Sequence, residues 1–116
     1  MGKQKKTIGK TYKVRLTLSA QQNIDEITGY IAFIKQQPVN ALKVGNSIFA
    51  IFDKIALNPF SFKECEQLPT KTKIYRQARC RSWYIIYKIL ANEIVILGLI
   101  HQSRKPAGIR ALRKIK

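Results

Sequence analysis

The chain has 116 residues, enough for one domain whose core removes roughly 65% of the unfolded surface from water, and too few for two such cores. Lys and Arg number 22 against 6 Asp and Glu, a net charge of +16. That excess repels itself in any compact state unless an anion offsets it, so an acidic partner is expected: a nucleic acid, a ribosomal surface or an acidic protein. No apolar run approaches the ~18 residues of a membrane span.

Met1 to Lys10 is polar and basic, with only Ile8 to bury, and reads as a flexible arm preceding a single domain over 11–116. It has no apolar signal-peptide core, and the two cysteines, Cys65 and Cys80, have neither a CxxC spacing nor an oxidising context. A cytoplasmic protein with reduced thiols is expected.

From Thr11, the residues Tyr12, Val14, Leu16 and Leu18 alternate with Lys13, Arg15 and Thr17, the period of a half-buried strand. Ser19 suits an N-cap, and Ala20, Ile24, Ile27, Ile31 and Ile34 then share one helical face, predicting a helix over about Ala20 to Gln36. Pro38 restarts the chain. Ala41, Val44, Ile48, Ile51, Phe52 and Ile55 form a second helical stripe that ends at Asn58-Pro59, and the short connection makes the two helices a hairpin.

Phe60 to Thr72 has no sustained period and reads as a loop. Tyr75–Cys80 is extended, Arg81-Ser82 turns, and Trp83–Ile89 and Ile94–Ile100 are apolar on both faces, as in the covered middle of a sheet. After Pro106, Ala107 to Ile115 predicts a short basic helix with Ile109, Leu112 and Ile115 inward. The class is α+β: strand, helical hairpin, then a three-stranded antiparallel meander.

His101 is the only histidine and the only side chain whose ordinary pKa lies near neutrality, the natural candidate for acid or base work. The competing reading is a hydrogen-bonded histidine at a strand end. With no second histidine or acidic cluster beside it, neither a metal nor a cofactor is expected. Arg76, Arg79, Arg81 and Arg104, with Lys105, lie on strands or strand ends that should be neighbours. Arginine's planar fork grips phosphate or carboxylate through paired hydrogen bonds, so these residues are the candidate phosphate- or target-binding set, set against a merely solvated face. Trp83, Tyr84 and Tyr87 could stack on bases, but their alternation with isoleucines favours packing.

The stretches KVRLTLSAQQNIDEITGYI, NALKVGNSIFAIFDKIALNP and YRQARCRSWYIIYKI followed by EIVILGLIHQSRKP together resemble the RelE/ParE superfamily of type II toxin-antitoxin toxins, over about Tyr12 to Pro106. The resemblance implies a small basic toxin neutralised by an acidic antitoxin whose C-terminal segment folds around it. RelE-like members cut mRNA in the ribosomal A site; for such an activity Arg76, His101 and Arg104 would be the catalytic set, without metal. ParE-like members bind and poison DNA gyrase. Gln102 and Ser103 follow His101, and no tyrosine lies beyond Tyr87, so the ending resembles the ParE side. A ribosome-dependent mRNA endoribonuclease is the alternative, and a nucleic-acid-binding module without toxicity the third reading.

Overall fold

The computed structural model describes residues 11–103 and 106–115. The expected basic arm over 1–10, and Arg104 and Lys105, lie outside the described residues.

A first strand, β1 (Lys13–Leu16), leads into helix α1 (Leu18–Gly29), a π-helical turn (Tyr30–Ile34) and helix α2 (Pro38–Leu57). After a single turn of 3-10 helix at Pro59–Ser61 come β2 (Lys63–Glu64), β3 (Tyr75–Cys80), β4 (Trp83–Ile89), β5 (Glu93–His101) and a short C-terminal helix α3 (Pro106–Arg110) that tightens into 3-10 over Ala111–Lys114. The strands form one five-stranded sheet in the order β1-β5-β4-β3-β2. The expected α+β architecture is present, with the helical hairpin followed by the β3-β4-β5 meander. None of the described helices is long and apolar enough to cross a membrane.

Three local readings change. Thr17, not Ser19, caps α1: its hydroxyl accepts from the Ala20 N–H at 3.1 Å and lies 2.9 Å from the Ile96 carbonyl, to which it donates. The strand therefore stops at Leu16, and Leu18 enters the helix 73% exposed rather than continuing the buried face. The expected loop over Phe60 to Thr72 contains β2, whose Lys63 and Glu64 pair with Gln77 and Arg76 and cover the sheet edge; two residues are too short to leave a periodic signal. Finally, β1 pairs in parallel with β5, Lys13 opposite Glu93 to Leu16 opposite Ile96, in a sheet expected to be antiparallel. The reason is the return path of the hairpin. The end of α2 lies beside the start of β1, where Tyr12 N–H donates to the Ala56 carbonyl at 3.0 Å. Starting from there, β3 runs with β1, β4 runs against it, and β5 runs with it again.

Both sheet faces are covered, as the doubly apolar β4 and β5 require. Ile85, Tyr87, Ile89, Ile94, Ile96 and Leu99 meet Ile24, Val44, Ile48, Phe52 and Ile55 of the hairpin. On the other face Ile86, Val95 and Leu97 pack with Cys65, Leu68 and Tyr75 under Ile109 and Leu112 of the C-terminal segment. The pairing jumps from Tyr87–Ile96 to Ile86–Gly98, leaving Leu97 as an extra residue on β5. This bulge reverses the alternation: Ile94 and Ile96 face the hairpin before it, Leu99 after it. Gly98 gives close quarters there: a Cβ would stand 3.0 Å from Asn23 Oδ1, the oxygen that accepts the Leu99 N–H, and that side chain would have to shift.

Candidate functional site

The bulge fixes where His101 emerges. With the alternation reversed, His101 falls on the hairpin side of the sheet, opposite Trp83 and edge-on to it at 5.7 Å between ring centroids. Its Nδ1 accepts the Ser103 N–H at 3.2 Å and lies 2.8 Å from the Ser103 hydroxyl. A backbone N–H can only donate, so Nδ1 is an acceptor and the neutral ring carries its proton on Nε2. The imidazole is exposed, at the open end of the sheet.

Two of the expected arginines stand at the same end of the sheet. Arg79 Nη2 donates to Gln102 Oε1 at 2.6 Å and Arg79 Nε to the Arg81 carbonyl at 3.1 Å, while the Gln102 N–H donates to the Ser82 carbonyl at 2.8 Å. Arg81 reaches the other way: its Nε and Nη2 both lie 3.2 Å from Ser47 Oγ on α2. Arg81 also holds φ at 56° in the tight turn between β3 and β4, a left-handed conformation that costs a side-chain-bearing residue energy. Strand ends and α2 are thus tied into one cationic rim.

Arg76 is not part of that rim. One position out of phase with Arg79 on β3, it lies on the opposite face, where Nε donates to the Lys73 carbonyl at 2.8 Å and Nη1 to the carbonyls of Phe60 and Phe62 at 3.1 and 2.9 Å. Its guanidinium sits 5.1 Å over the Phe60 ring. Among the described residues all its hydrogen bonds go to backbone oxygens of a connecting segment, so this fork clamps the chain around the 3-10 turn. Beside it Tyr87, fully buried, donates its hydroxyl to the Pro59 carbonyl at 2.6 Å, and burial pushes that phenol far above its ordinary pKa. The structure therefore places Arg79, Arg81 and His101 at one end of the sheet, with no hydrogen bond between the imidazole and either guanidinium, and holds Arg76 apart.

A second feature lies on the helical hairpin. Between α1, the π-helical turn and the first half of α2 runs an open apolar groove of about 660 Å³, floored by Ile24 and Ala41 and walled by Phe33, Leu42 and Phe49. Phe33 is 80% and Leu42 69% exposed, and the neighbouring Ile34 and Val39 are 70% and 65% exposed. Contiguous apolar surface of this kind marks an interaction site. Asp25 is among the groove's lining residues, and Lys35 and Lys43 are exposed elsewhere on the same hairpin. The signal in the sequence was the seven-residue spacing of Leu42 and Phe49, outside the buried stripe of α2. On the other side of the sheet end a smaller, polar cleft of about 240 Å³ is lined by Lys63, Glu66, Gln77, Tyr84, His101 and Gln102.

Residues 14–106 match the profile of a family described as the ParE toxin of the type II toxin-antitoxin system parDE. Among solved structures, the chain is similar to one from a chromosomal ParDE toxin-antitoxin system of P. aeruginosa, with a TM-score of 0.64 and 19% identity over 78% of this chain and 96% of the other. It is also similar to one from the RelBE2 toxin-antitoxin complex of Mycobacterium tuberculosis, with a TM-score of 0.53 and 19% identity over 78% and 98% of the two chains. At this identity the likeness establishes a common fold. Curated protein sequences gave no significant match.

Proposed function

The chain belongs to the ParE toxin family of type II toxin-antitoxin systems, and from that premise we propose that it arrests growth by binding DNA gyrase and is neutralised by a cognate acidic antitoxin. The observation that carries the reading is the family match itself, which spans every strand and both helices of the hairpin. The site geometry supports binding rather than hydrolysis as its mode of action. The two arginines at the sheet end are committed to holding the surface in shape, Arg79 to Gln102 and Arg81 to Ser47.

The antitoxin has a seat of matching chemistry. The hairpin groove offers Phe33, Leu42 and Phe49 to the apolar face of an amphipathic helix. A +16 surface accounts for selection of an acidic partner and for fast association with it.

Gyrase supercoiling and gyrase-dependent DNA breakage assays with the purified chain test the target. Inhibition relieved by the acidic product of the adjoining reading frame is the expected result. Growth arrest with both gyrase activities untouched overturns it. The polar cleft supports a second reading, a metal-independent endoribonuclease on ribosome-bound mRNA, with His101 as acid or base and Arg79 and Arg81 on the phosphate. Primer-extension mapping in a translation extract separates the two, since only the nuclease creates new mRNA ends.

A further inference from the structure

Helix α2 is apolar on both sides. Its buried stripe meets the sheet, yet of its 20 residues only Lys43, Asp53 and Lys54 are charged, whereas the outer face of a surface helix is ordinarily polar. The exposed residues Leu42, Asn46, Phe49, Asp53 and Leu57 follow one another at steps of four, three, four and four, with exposed Ala50 beside Phe49, so they form a second stripe along the outside of the helix. Leu42, Phe49 and Leu57 are 69%, 51% and 65% exposed, and the Phe49 ring is held edge-on to Phe52 at 5.4 Å between centroids.

The order of residues in this stripe specifies what covers it. Laid antiparallel on itself, with a two-fold axis midway between Phe49 and Ala50, the stripe is its own complement: Leu42 meets Leu57 of the other copy, the bulky Phe49 meets the small Ala50, and Asn46 meets Asp53. Each contact then occurs twice, as a two-fold interface requires. Asp53 fixes both direction and register, because a carboxylate enclosed between helices is costly unless a donor meets it. In this register the Asn46 amide can donate to it, and Lys43, three residues before Asn46 on the same helix surface, brings an opposite charge within reach. A shift of four residues in either direction sets Asp53 against Leu42 or Ala50, and a parallel pair sets it against its own copy.

We propose that free copies of this chain pair through α2, antiparallel and in that register, as a two-fold dimer. Leu42, Asn46 and Phe49 also line the hairpin groove, so this pairing and a helix seated in the groove exclude one another. Two copies carrying +16 each repel at long range, and salt screens that repulsion. The dimer therefore tightens as salt rises, opposite to the behaviour of an acidic ligand.

Sedimentation equilibrium of the full chain, between about 1 and 100 μM to cover the weak range of a small helix–helix interface, tests the pairing. A monomer–dimer equilibrium that strengthens with salt is expected. Leu57→Asp lies outside the groove and breaks the Leu42–Leu57 contact at both ends of the interface, so it should weaken dimerisation by roughly 30-fold or more. The register is read separately with Leu42→Cys and Leu57→Cys and a short bifunctional thiol cross-linker, the native Cys65 and Cys80 being buried. Mixed together, the two variants should cross-link to a dimer; each alone should not, because the like positions then stand roughly 22 Å apart along the helices. A chain that stays monomeric to 100 μM at every salt concentration, a dimer indifferent to Leu57→Asp, or cross-linking of either cysteine variant with itself overturns the proposal. No antitoxin or gyrase is present in either assay, so the outcome is independent of the function proposed above.

Discussion

Replacing Phe33 and Leu42 by Asp separates the proposed antitoxin seat from the fold. Phe33 is 80% and Leu42 69% exposed, so neither contributes much to folding, and changes at such surface positions move stability by roughly 0.5 kcal/mol or less. An antitoxin helix in the groove would bury what is still open. Full burial of a Leu or Phe side chain contributes roughly 1.5 to 3 kcal/mol, and the exposed fractions leave about 1 to 2 kcal/mol of this at each site for the complex. Together they amount to roughly 2 to 4 kcal/mol, a loss of about 30- to 1,000-fold in affinity. Repulsion between the new carboxylates and an acidic partner adds to it. Isothermal titration of the purified antitoxin into Phe33→Asp/Leu42→Asp should show that loss, with an unchanged urea midpoint for the free toxin. Leu57→Asp is the control: Leu57 is 65% exposed but at the far end of α2, outside the groove. Undiminished affinity in the double variant, or equal losses in it and the control, would refute the seat.

Three further outcomes follow from the scaffold. Thr17→Val keeps the buried shape but removes the α1 cap and the donor to the Ile96 carbonyl, and should lower stability by roughly 2 kcal/mol in urea unfolding. At the strained turn, Arg81→Gly should be about 1 kcal/mol more stable than Arg81→Ala, because both lose the Ser47 contact but only glycine adopts φ of 56° without strain. Burial raises the Cys65 and Cys80 thiols above the ordinary thiol range, so the folded state holds these protons longer than the unfolded chain does. Their contribution is complete below the ordinary thiol pKa of the unfolded chain and is lost as pH rises through the raised pKa of the folded state. The alkaline fall of the urea midpoint should be shallower in Cys65→Ala/Cys80→Ala, and a thiol reagent should label the native protein only as fast as it unfolds.

Much of the fold was legible because its elements carry strong periods. The stripe from Ala20 to Ile34 and that from Ala41 to Ile55 gave the hairpin, and the two-sided apolarity of Trp83–Ile89 and Ile94–Ile100 gave the sheet centre. What was hidden depends on partners distant in sequence. Thr17 is the cap because it also reaches a carbonyl on β5, a contact 79 residues away. The parallel pairing of β1 follows from where α2 ends, and β2 is too short for any period. The site was half legible. Arg79, Arg81 and His101 share one end of the sheet, but Arg79 bonds Gln102 and Arg81 bonds Ser47, which carry no motif. Arg76 looked equivalent to Arg79 in sequence; strand alternation puts it on the other face, where it holds the chain at Phe60 and Phe62. The groove escaped notice because Phe33, Leu42 and Phe49 were read against the buried stripes rather than as a stripe of their own.

The most direct test of the account is DNA gyrase supercoiling in the presence of the purified chain, followed by addition of the acidic antitoxin. Loss of supercoiling with accumulation of cleaved DNA, both reversed by the antitoxin, is the predicted result. Full supercoiling alongside new mRNA ends in a translation extract would contradict the gyrase reading and assign the chain to RNA cleavage.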